Sequence, residues 1–157
     1  ILSLPVGRVK LLLHKWFAMV SIMALTLVGL VVGMFVTIPW IDGASLELDV
    51  AARLVAMTWL MMVAYGTIPF AIGFASGKRG AASGLSILVI IGSFLLSTFA
   101  QAVEWLETLE PLSLLHYFPA VDIAKDAINP RDVAVLGGIA LVLLAVSIVT
   151  FRRRDIA

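Results

Sequence analysis

Four stretches of the chain carry no Asp, Glu, Lys, Arg or His: Trp16 to Ile38, Leu54 to Ala75, Ala81 to Val103 and Val133 to Phe151, each 19 to 23 residues long. A helix rises about 1.5 Å per residue, so each stretch can cross a hydrocarbon core of about 30 Å. None alternates polar and apolar positions. Backbone groups in hydrocarbon must be bonded internally, which predicts helices rather than barrel strands. The expected fold is an all-α integral membrane helical bundle, one transmembrane domain over 1–157. Its four transmembrane helices lie at 16–38, 54–75, 81–103 and 133–151, with an interfacial segment at 1–15 and a short outer interfacial helical segment within 104–132.

The charges fix an orientation. Arg8, Lys10 and Lys15 precede the first span, Lys78 and Arg79 sit between the second and third, and Arg152, Arg153 and Arg154 follow the fourth. Eight of the eleven basic residues thus share one face, and nine of the ten acids share the other. Lys and Arg stay on the side from which a segment is inserted, which predicts both termini in the cytoplasm. Pro69 removes a backbone donor and crowds the preceding turn, so the second helix should kink or loosen there. The short turn Ser76 to Gly80 makes helices two and three antiparallel neighbours. Gly29 and Gly33, Gly73 and Gly77, and Gly80 and Gly84 are each spaced to let helices approach. Packing within one subunit is the expectation, and a dimer face the alternative.

Composition sharpens this picture. The chain has 157 residues, 62% of them hydrophobic and 13% charged. No polar stretch is long enough for a separate soluble domain. A formal net charge of +1 argues against nucleic-acid binding, which needs a concentrated basic face. With no cysteine there is no disulfide, thiolate metal site or cysteine nucleophile. The chain begins at Ile1, and its first apolar stretch is too long for a signal-peptide core, so a fragment or a processed product is expected.

Candidate chemistry is sparse. Glu104, Glu107 and Glu110 recur every three residues and read as a solvated outer face rather than an acid–base pair, which would need a cleft. His14 falls on the inner side and His116 on the outer, so they cannot share a metal; no metal site or cofactor is expected. Gly73 to Arg79 superficially matches a phosphate-binding loop but has the wrong glycine spacing and no Ser or Thr after Lys78. Tyr65 is the one ionisable residue inside the apolar stretches, so no proton relay is evident. Ser93, Ser97, Thr98 and Gln101 can either line a path or hold helices together, and glue is the favoured reading. Arg53 reads as a snorkelling end residue. Residues 1–15 mix leucines with cations, which fits an interfacial helix or a docking surface; Arg152 to Arg154 fit an anchor facing lipid headgroups. Trp105 and Tyr117 in the outer segment suit headgroup depth.

Several landmarks then fall in order. Leu2-Ser3-Leu4-Pro5-Val6-Gly7-Arg8 with Lys15, the glycine-rich run Gly73 to Gly80, Leu112-Ser113-Leu114-Leu115-His116-Tyr117-Phe118, and Phe151-Arg152-Arg153-Arg154-Asp155 together resemble the C-terminal part of an ATP-binding cassette (ABC) transporter permease of the class-two exporter type. The resemblance spans the whole chain and covers the last four of the family's usual six helices. It implies a permease subunit that catalyses nothing covalent, paired with a second permease copy and a separate nucleotide-binding ATPase in the cell membrane, of the prokaryotic inner-membrane kind. By the same resemblance Leu4, Pro5, Arg8 and Lys15 would couple to the ATPase, and Ser93, Ser97, Gln101, His116 and Tyr117 would belong to the path or outer gate. The rivals are a non-transporting membrane scaffold and an ATP-independent carrier or channel.

Overall fold

The computed structural model describes residues 7–40, 47–77, 79–100, 102–125 and 128–153. Its first helix, α1, covers Arg8–Thr37 and passes into a 3-10 turn at Ile38–Trp40, where Pro39 has no N–H to continue the ladder. Residues 8–15 are therefore continuous with the first span rather than a separate interfacial piece. Thirty residues make a rod of about 45 Å, longer than the hydrocarbon core of about 30 Å. The cations before Trp16 sit on its first turns, beyond the apolar stretch.

The second helix, α2, runs over Leu48–Ser76 with Pro69 inside it and no break in the helical assignment. Its start precedes the charge-free stretch by six residues because Asp49 and Arg53, one turn apart, pair at 3.1 Å. It ends at Gly77, whose φ of 66° is left-handed and whose N–H donates to the Gly73 carbonyl at 2.9 Å. Glycine enters that region without a Cβ penalty, and the bond satisfies a carbonyl that the helix end would leave open. The third helix, α3 at Arg79–Ala100, starts two residues later and returns antiparallel along α2, as the short turn predicted.

The outer segment is a chain of short pieces. It contains α4 at Glu104–Glu107, 3-10 turns at Glu110–Leu112 and Leu114–Tyr117, and α5 at Ala120–Lys125. Prolines punctuate it: Pro111 lies in the first turn of one piece and Pro119 just precedes another. The last helix, α6, covers Pro130–Arg153. Proline is tolerated at its first position, and the Asn129 Oδ1 accepts the Arg131 N–H at 3.0 Å as a cap. The described spans at Val9–Trp40, Leu48–Ser76, Ala82–Ala100 and Pro130–Arg152 are each long and apolar enough to cross a membrane.

The bundle is organised around α2, which packs most extensively on α6 and also on α3, α1 and α5. Its core joins Met57 and Ala64 of α2, Leu114 and Ile123 of the outer segment, and Leu136 of α6. The outer segment therefore folds into the bundle instead of lying on it. By contrast, α1 buries only Leu12 and Leu27 among its described residues. It is held to α2 by two indoles: Trp16 Nε1 donates to Thr67 Oγ1 at 3.2 Å, and Trp59 Nε1 to the Val20 carbonyl at 3.3 Å. Farther along, clefts of about 240 and 220 Å³ flank the α1–α2 contact, and Val31 lines both.

The expected glycine packing is corrected in part. A Cβ added at Gly73 would touch the Cβ of Ala82 at 3.7 Å, an ordinary contact between α2 and α3. At Gly29, Gly33, Gly80 and Gly84 an added Cβ would meet nothing within 4 Å. Spacing made these positions able to accept a neighbour, but none is supplied among the described residues. Many of the outward residues are large and apolar, among them Ile22, Leu25, Leu88, Phe94 and Leu141. Lipid tails accept such a surface where water would not.

Candidate functional site

The most connected polar feature is a set of three serines. Ser93 and Ser97 stand one turn apart on α3 and share a face. Ser113 lies between the two outer 3-10 turns and is fully buried. Its Oγ accepts from Ser97 Oγ at 2.8 Å and from the Leu115 N–H at 3.2 Å, and donates to the Ser93 carbonyl at 2.9 Å. One hydroxyl thus uses its donor and both acceptor sites. The arrangement ties the outer segment to α3. The bonds found among the described residues make the set a tether.

Of the residues assigned to a path or outer gate, the structure joins Ser93 and Ser97 through this tether. Gln101 lies outside the described residues. His116 Nδ1 lies 3.2 Å from Glu110 Oε1, and its ring meets that of Tyr117 edge-on with centroids 5.1 Å apart. The Tyr117 hydroxyl turns back on its own segment and donates to the Pro111 carbonyl at 3.0 Å. Glu110, read from spacing as part of a solvated face, is half-buried against His116. Ser113 stands in the outer-segment motif of the sequence, where no role attaches to it. A serine before a short helix is an N-cap pattern, and its Leu115 bond is that cap, but nothing local announced the partners on α3.

In the middle of the bundle a groove of about 610 Å³ opens between α1, α2 and α3, lined by Met23, Met61, Met62, Tyr65, Phe94 and Leu115 among others. The Tyr65 hydroxyl is buried and has no hydrogen-bond partner among the described residues. Gly66 leaves room here: a Cβ would collide with the Met23 methyl and lie 3.3 Å from Met19 Sδ. Unbranched methionines let this contact adapt.

At the opposite end Leu4 and Pro5 fall outside the described residues, Arg8 opens α1, and Lys15 is exposed two turns further on. Lys15 borders a cleft of about 520 Å³ between α1, the end of α2 and the start of α3. The Phe74 and Phe151 rings meet edge-on, 5.0 Å between centroids, which brings the end of α6 beside the end of α2. The α1 start, the α2–α3 turn and the α6 end thus share one end of the bundle, the one that collects the basic residues.

Four apolar spans around an interlocked core define a multi-pass helical membrane protein. The family model described as "ABC-2 family transporter protein" matches residues 1–156, and the chain belongs to that family: it is a transporter permease, a membrane component of a transport system. No curated protein and no solved structure matches the chain.

Proposed function

We propose that the chain is the membrane-spanning permease of an ATP-driven exporter, working with a second permease copy and a separate nucleotide-binding ATPase. The family match across residues 1–156 carries this reading. The clustering of the α1 start, the α2–α3 turn and the α6 end supports it, because the positive-inside rule assigns that end to the cytosol, where ATP is. Leu4, Pro5, Arg8 and Lys15 are the proposed contact with the ATPase. The outer segment, held by Ser113, closes the far end of the path, with Ser93, Ser97, Gln101, His116 and Tyr117 at its border. The chain binds and guides; the bond-breaking belongs to the partner. We place the assembly in a cell membrane of the prokaryotic inner-membrane kind.

The lack of cysteine makes the orientation directly measurable. Single variants Gly80→Cys and Leu109→Cys, treated in intact cells with a membrane-impermeant maleimide, should differ: Leu109→Cys reacts, and Gly80→Cys reacts only after lysis. Labelling of Gly80→Cys from outside would overturn the orientation. Co-purification of the complete protein with an ATPase, and export that stops when ATP is withdrawn, complete the test. Transport in vesicles without ATP would favour an independent carrier, and unchanged export after blocking the bundle interior would favour a scaffold.

A further inference from the structure

The cleft at the basic end combines two features that rarely serve one purpose except at a lipid. Its walls are apolar, built by Phe70, Gly73 and Phe74 of α2 and Ala82 of α3. Its border carries the cation Lys15, which is exposed and pairs with no carboxylate among the described residues. Ala82 and Ser83, at the start of α3, also line it, and neither α1 nor α3 has an acidic residue in its first turn. The α3 N-terminus therefore brings a partial positive charge to the cleft with no acidic side chain in its first turn. The end of α2 carries the opposite partial charge at the same cleft, moderated where the Gly73 carbonyl accepts the Gly77 N–H at 2.9 Å.

We propose that this cleft is a binding site for one anionic phospholipid, with an acyl chain against Phe70 and Phe74 and the phosphate beside Lys15. A membrane-depth groove of about 520 Å³ holds a stretch of acyl chain, and the unpaired cation at its border complements an anionic headgroup. A soluble phosphate would gain the charge but leave the apolar walls empty. A second copy of the chain would bring its own basic end against Lys15.

Trp16 adjoins Lys15 and bonds Thr67, one turn from Phe70, so its fluorescence reports on the cleft. The full chain carrying Trp40→Phe, Trp59→Phe and Trp105→Phe is reconstituted in vesicles in which brominated phosphatidylglycerol or brominated phosphatidylcholine replaces part of the lipid. Brominated phosphatidylglycerol should quench Trp16 with an apparent affinity about fivefold higher, the discrimination one cation supplies near an anionic headgroup. Lys15→Gln should abolish that preference, Lys10→Gln should retain most of it, and glycerol phosphate should not compete.

Because three tryptophan substitutions can disturb the fold, native mass spectrometry of the chain with all its tryptophans provides a second reading: wild type should retain phosphatidylglycerol over phosphatidylcholine, and Lys15→Gln should not. Equal quenching by both lipids, a preference that survives Lys15→Gln, competition by glycerol phosphate, or a cleft that no lipid reaches because a protein covers it would each overturn the proposal. Lys15 also stands in the proposed ATPase contact, so the lipid would hold the cleft while that contact is open; neither experiment contains an ATPase or measures transport, so each reads the lipid site apart from the exporter reading.

Discussion

Replacing Ser113 by alanine removes three hydrogen bonds at once: it leaves the Ser97 hydroxyl and the Leu115 N–H without this partner, while the Ser93 carbonyl keeps its helical bond. A buried polar group left unpaired costs about 1–3 kcal/mol. Ser113→Ala should therefore lower the thermal midpoint in detergent, followed by circular dichroism, and speed amide exchange over residues 110–118. Ser97→Ala leaves Ser113 its other two bonds and should have the smaller effect. Ser93 and Ser97 stand out in the sequence as two hydroxyls one turn apart, but Ser93 joins the set through its carbonyl and only Ser97 through its hydroxyl. The completion of the set was not legible, because Ser113 lies 16 residues beyond Ser97 and reaches it only after the outer segment folds back. His116 shows the same limit: its neighbour Glu110 is on the page, but only the 3-10 turns bring their side chains together.

Elements end where physics lets them, not where charges begin. Charge-free windows located all four spans, yet α1 starts at Arg8 and α2 at Leu48, because a helix tolerates cations at an interface and an Asp–Arg pair one turn apart. Gly77 marks a true stop, and its left-handed φ makes a specific demand. Gly77→Ala should destabilise by about 1–2 kcal/mol, the penalty for a Cβ in that region, and Gly77→Asn by less, both read from thermal unfolding. The glycine pairs divide by neighbourhood. Where an added Cβ meets nothing, as at Gly29, alanine should stabilise the isolated subunit by roughly 0.5–1 kcal/mol through the helix itself. A loss of stability there on reconstitution, with a gain in detergent, would reveal a second chain against that face. Spacing alone could not separate these cases, since it describes one helix and packing needs two.

As a whole, the molecule is unevenly joined: α2, α6 and the outer segment interlock, while α1 rests on α2 and α6 through two indole bonds, a row of methionines and the buried Leu12 and Leu27. Trp59→Phe should thus raise amide exchange along residues 21–37 and leave α6 unaffected. Beyond those bonds the clefts on either side of Val31 leave the far half of α1 loosely seated. The two indole bonds fix α1 near residues 16 and 20, and the buried Leu12 and Leu27 seat it on either side of them. Because α1 is one unbroken rod rising about 1.5 Å per residue from Arg8 to Thr37, a push at its basic end would be carried along the helix to the opposite end of the bundle instead of being absorbed at a joint.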